Sequence, residues 1–224
     1  MRMLREILEE LRLVLAGRSN FLDSILPPIL FVLLNAVWGL EIAAWIALGL
    51  AVGFAIYRLL KRQSLLFALG GAAGVALATL IASLLGRAEG FYLPSIVSGA
   101  ATTLLCLFSA LVGRPIVALT SFIARRWPLD WYWHPRVRPA YAEVTWVWAI
   151  FFGLRLLLQL SLFQGNSATL LGLVQIVLGW PATIVLLICS YLYGTWRLRK
   201  LGGPSVEEFK SGTEPPWESQ LRGF

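Results

Sequence analysis

The chain is poor in the residues that do chemistry. It has one histidine, His134, and two cysteines, Cys106 and Cys189, among 224 residues. A single histidine excludes a histidine-rich metal site. Both cysteines fall inside apolar runs, so neither a disulfide nor a metal site is expected from them. No H-E-x-x-H, G-x-S-x-G, Walker A or G-x-G-x-x-G motif occurs. Intramembrane protease or phosphatase chemistry would want a histidine within an apolar run, and His134 sits in a connecting segment. No central carboxylate pair offers acid–base work. The expectation is a protein without catalytic residues, metal or cofactor. Charge is scarce too: Asp, Glu, Lys and Arg make up 14% of the chain, against about a quarter in soluble domains.

What fills the chain is apolar sequence. Hydrophobic residues reach 58%, and they gather into six long runs, at 22–40, 42–60, 65–85, 91–112, 143–163 and 168–194. A spanning helix needs about 20 such residues. Barrel strands would be about 10 residues long and alternating. The runs therefore predict an all-α polytopic membrane bundle with six transmembrane helices over residues 21–195. Residues 1–20 would form a cytoplasmic amphipathic segment and 196–224 a mobile cytoplasmic tail.

The net charge of +7 follows the loops, which argues against nucleic-acid binding. Of the 19 lysines and arginines, all but Arg87 and Arg155 lie before the first run, between the second and third, between the fourth and fifth, or after the last. The positive-inside rule then puts both termini in the cytoplasm of a bacterial inner-membrane protein. Short loops around Glu41, "GRAEG" and "QGNSA" face outward.

Residues 1–16 place Leu4, Ile7, Leu8, Leu11, Val14 and Leu15 at helical spacing. Glu6, Glu9 and Glu10 interrupt what would be the apolar core of a signal peptide, so an interfacial or partner-binding helix is expected. An acid precedes Leu-Pro at Asp23–Pro27 and again at Glu89–Pro94, each opening a three-span half. The pattern fits a 3+3 inverted repeat and fits chance recurrence as well. Gly49 with Gly53, and Gly70 with Gly74 and Ala78, form small-residue stripes. They read first as close packing within the bundle and second as a dimer face. Pro181 should kink the sixth span.

The linker "RPIVALTSFIARRWPLDWYWHPRVRPAY" contains an apolar stretch, 115–124, too short to span. Its Trp127, Trp131 and Trp133 suit headgroup depth. Arg125, Arg126, Arg136 and Arg138 could hold an anionic lipid.

The most costly residue is Arg155, in the middle of "VWAIFFGLRLLLQLSLF". A charge at that depth costs roughly 2.5–3.5 kcal/mol on insertion scales and must face the bundle interior and pair. Gln159 lies one turn on, while Asn35 and Gln175 should reach similar depth. Glu89 and Glu41, at the outer ends of neighbouring spans, are the candidate counter-ions, Glu89 foremost. This cluster reads either as a structural ion pair or as an anion or polar-solute site.

The stretches "FLDSILP", "GRAEGFYLPSI", "GRP" at Gly113–Pro115 and "AYAEVTWVWAIFFGLRLLLQ" resemble an uncharacterised bacterial membrane family, the domain of unknown function 3159. More distantly they resemble the intracellular septation protein A family, which shares a basic-Pro turn before a Trp-Ala-Phe-Phe span. The resemblance maps an arginine-x-x-x-glutamine pattern onto Arg155 and Gln159, and the acid before Leu-Pro onto Asp23. The second family implies envelope- or division-related interaction work. The expectations for function are two. The first is a non-enzymatic accessory or scaffold subunit, in contact with the bilayer and with other membrane proteins. The second is a small transporter or channel built on the Arg155 cluster.

Overall fold

The computed structural model describes residues 21–60, 65–221 and 223–224. The segment read as an amphipathic helix over 1–16 lies outside the described residues, as do Lys61 and Arg62. The helices are α1 (Phe21–Leu60), α2 (Leu65–Leu85), α3 (Leu93–Leu111), α4 (Ile116–Arg125), α5 (Leu129–Trp133), α6 (Arg138–Gln164), α7 (Ala168–Val177), α8 (Trp180–Leu201) and α9 (Val206–Ser211). A 3-10 turn, Ala88–Tyr92, leads into α3. The described residues hold no strand.

Four helical segments are long and apolar enough to cross a membrane: Val37–Tyr57, Ala88–Leu111, Arg138–Gln164 and Ala168–Leu201. They correspond to the second, fourth, fifth and sixth expected runs. Ile116–Arg125 is apolar but short, as the linker stretch implied. Glycine sets several boundaries. Within α1, Gly39 adopts φ 80° and ψ 176°, a non-helical conformation that divides the helix near the expected boundary between the first two runs. Gly86 and Gly113 are left-handed and end α2 and α3. At each, the glycine amide bonds back three residues and the following arginine amide bonds back five, to Ala82 and Ser109. This is the Schellman arrangement, which satisfies carbonyls a helix end leaves open. Pro181 does not kink a continuous helix. It is the second residue of α8, after a break at Leu178–Gly179, where a missing N–H costs little.

The described residues form two compact units, each discontinuous in sequence: those within 21–97 with 158–181, and those within 98–157 with 182–224. The three-span halves suggested by the Leu-Pro recurrence do not coincide with them. In the first unit Phe31, Ala43, Ala47, Ala78, Ala82, Phe91, Tyr92 and Leu171 make the core. Phe31 stacks on Phe91 with centroids 3.9 Å apart. Of the small-residue stripes, Ala78 packs in this core, beside alanines outside the stripes. Ala43 and Ala47 of α1 and Ala78 and Ala82 of α2 are buried. A Cβ added at Gly49, Gly53, Gly70 or Gly74 would meet nothing within 4 Å.

The core of the second unit is aromatic. Val117 and Ala118 of α4, Trp131 and Tyr132 of α5, Val137, Ala140, Tyr141 and Val144 at the start of α6, Leu198 of α8 and Val206 of α9 are all buried together. Outside this core, α6 exposes Ile150, Leu154 and Leu157, each at least 60%, a surface suited to lipid rather than water. The tail, which lacks sequence periodicity, carries α9 and a capping box between Ser205 and Glu208. Phe224 stacks on Tyr141, with centroids 4.2 Å apart and planes 7° apart.

Candidate functional site

The first polar cluster belongs to the first unit. The 3-10 turn buries Glu89, which is 6% exposed. Its Oε1 accepts a hydrogen bond from the amide of Ala168, the first residue of α7, at 3.1 Å. A carboxylate there satisfies an open helix-end donor and faces the positive end of the helix dipole. Arg87 lies beside Glu89, at 3.6 Å. Arg87 also donates to the Phe163 carbonyl at 3.0 Å and to the side-chain oxygen of Asn166. Its guanidinium lies over the Phe163 ring. The "GRAEG" and "QGNSA" loops are therefore clasped by one arginine and one glutamate. Gly90 lets the turn approach α2, since a Cβ would stand 2.8 Å from the Ala82 Cα.

Two members of the expected cluster do meet. Gln159, only 1% exposed, donates to the Gln175 side-chain oxygen at 3.1 Å. Asn35 is half-buried and Glu41 exposed on α1. Arg155 is half-buried on α6 and belongs to the second unit.

The second cluster surrounds the aromatic core. Trp131 is fully buried, and its indole N–H donates to the Pro204 carbonyl at 2.8 Å. It is a core residue of this unit, not the headgroup anchor expected, because α6, α8 and α9 enclose it. Tyr132 shares a hydrogen bond with Ser121 at 3.1 Å. Arg125 donates to the Phe224 carbonyl at 3.2 Å and lies over Trp127. Arg136 donates to the Gly202 carbonyl at 3.4 Å and lies over Trp217. These two of the four arginines assigned to lipid therefore hold the tail. Arg126 and Arg138 are exposed.

A third group was missed by sequence reasoning. Glu143 and Arg197 form a bidentate pair, with nitrogen–oxygen distances of 2.6–3.0 Å. Tyr193 donates to the same carboxylate at 2.7 Å. The signal was available: Glu143 opens the fifth run, and Arg197 follows the sixth on the same expected side. One turn deeper, Trp148 donates to Ser190 at 2.8 Å. Together they staple α6 to α8.

The tail carries a pH-dependent contact. The Glu218 amide, then the Ser205 amide and hydroxyl, hold the Glu208 carboxyl below its ordinary value. A depressed carboxyl stabilises the fold above its unfolded value of about 4.3, and that contribution disappears as pH falls through the folded value. The protection factors of amides 205–213, corrected for the intrinsic exchange rate at each pH, should therefore be lower near pH 3 than near pH 6. Glu208→Gln should remove most of that difference, and an unchanged difference would show that other groups hold the tail.

Apolar spans and buried polar clusters define a helical membrane protein. The chain belongs to the family described as Protein of unknown function (DUF3159), whose match covers residues 15–199. No curated protein and no solved structure matches it.

Proposed function

We propose that this is a non-enzymatic inner-membrane protein of six spans, with both termini cytoplasmic, acting as an accessory or scaffold subunit that receives a helix of another membrane protein. The observation that carries this reading is a groove of about 630 Å³ on α1, lined by Ile46, Gly49, Leu50, Gly53, Phe54 and Tyr57. The open glycines at its floor would let a second helix backbone come close. In a bilayer, where apolar burial gives little drive, such close van der Waals contact is what joins helices. The wall is apolar apart from the Tyr57 hydroxyl, which suits a hydrophobic helix better than a polar ligand.

A photo-crosslinking residue placed at Gly53 should give one discrete protein adduct in native membranes, and the same residue at Leu157 should give lipid adducts only. Gly53→Leu should fill the groove and lower the adduct trapped from Leu50 at least about tenfold, with an unchanged melting curve. Lipid adducts alone at Gly53 would overturn the reading.

A second reading, a small transporter or channel, draws on the part-buried Gln159–Gln175 pair, one turn before the break between α7 and α8. Broken helices flank the binding sites of many transporters. In that case Gln159→Leu would abolish solute flux in vesicles and leave the Gly53 adduct intact.

A further inference from the structure

We infer that the turn between α3 and α4, together with the start of α6, forms a binding site for the phosphate headgroup of an anionic phospholipid. The proposal is separate from the groove on α1 and lies wholly in the second unit.

The charges sort themselves. In this unit Arg197 is held by Glu143, Arg125 by the Phe224 carbonyl and Trp127, Arg136 by Gly202 and Trp217, and Arg199 by the Leu221 carbonyl at 2.9 Å. Arg114 and Arg138 have no acidic partner among the described residues, and both are exposed. They are not scattered. The Arg138 guanidinium lies 3.8 Å from where a Cβ of Gly113 would stand, against the turn that carries Arg114 as its next residue. Gly113 is left-handed at this turn (φ 72°). Arg114 extends over the half-buried Trp133 ring, 5.8 Å from its centroid. Two guanidiniums at one turn with no carboxylate repel each other until an anion sits between them. Guanidinium forks match phosphate oxygens.

What surrounds the pair selects a lipid over free phosphate. Leu111 and Val112, at the end of the apolar α3, are 73% and 55% exposed immediately before the turn. Arg138 opens α6, itself an apolar helix long enough to cross a membrane. Cations at the ends of two spans, an indole at their level and an open apolar face leading away suit a headgroup with its acyl chains.

The test uses the full chain in nanodiscs of mixed phosphatidylglycerol and phosphatidylcholine. Native mass spectrometry should find phosphatidylglycerol retained under conditions that strip phosphatidylcholine. Arg114→Gln and Arg138→Gln should each lower retention roughly fivefold, and the pair roughly 30-fold. Arg126→Gln, an exposed arginine away from the turn, should change nothing. The lysine pair should recover part of the retention, which a folding defect would not allow. Equal retention in the double variant, or an equal loss in Arg126→Gln, would overturn the site. Displacement of phosphatidylglycerol by millimolar inorganic phosphate would overturn the lipid and leave a free-phosphate site.

Discussion

Trp131→Ala should lower stability by about 3–5 kcal/mol, the range for emptying a packed aromatic position. Trp131 is fully buried and packs edge-on against Trp127, Tyr132 and Tyr141, with centroids 5.3, 5.0 and 6.2 Å away. These rings come from three segments and are fixed by short turns at Pro128 and His134, so they cannot collapse fully into the cavity. The substitution also strands the Pro204 carbonyl, now satisfied by the indole N–H. Thermal melts in detergent should show a fall on the order of 10 °C. Trp131→Phe keeps one aromatic ring and should cost less, the lost hydrogen bond of about 1–3 kcal/mol plus a smaller cavity. A melt of Trp131→Ala equal to wild type would mean that the indole sits at the surface after all.

The second large effect is expected at Glu89. Glu89→Leu removes the acceptor of the Ala168 amide and leaves that helix end open. A hydrogen bond to a charged group contributes about 1.5–3 kcal/mol, and charge at a helix N-terminus about 0.3–1 kcal/mol. The Arg87 contact adds little, because Arg87 is 43% exposed. A loss of about 2–3 kcal/mol follows, and Glu89→Gln, which keeps an acceptor, should lose less than half of it. Hydrogen exchange at Ala168 gives a local readout: the amide should exchange much faster in Glu89→Leu. Unchanged exchange would show that Glu89 does not cap α7.

The apolar runs were legible because a span depends on composition over about 20 residues, and no long-range contact changes that. The Gln159–Gln175 pair was legible for a related reason, since depth along two neighbouring spans is fixed by counting residues. Partner choice was not. Glu89 was matched by depth alone, and counting residues does not show Arg87, which the 3-10 turn folds back from two residues away. Trp131 looked like its neighbours Trp127 and Trp133, because tryptophan among prolines and arginines suits a headgroup layer. Residues as distant as Leu198 and Val206 bury it, and no local pattern announces them. Gly49, Gly53, Gly70 and Gly74 failed as packing signals, whereas Ala78 of the same stripe packs in the core. Composition names small residues without saying which face meets a neighbour. In the tail, Ser205 and Glu208 stand at capping-box spacing, and that short signal was outweighed by the surrounding glycines and prolines.

Gly39 bears on how the protein is made. An unbroken helix of 40 residues would be about 60 Å long, twice the hydrocarbon thickness. A single residue divides it, in a backbone conformation that only glycine reaches without strain. With no loop between them, the two halves change direction within one residue, and a bulky residue at 39 would have to pull the backbone out of that conformation, which would lower the yield of folded protein before it altered any surface contact.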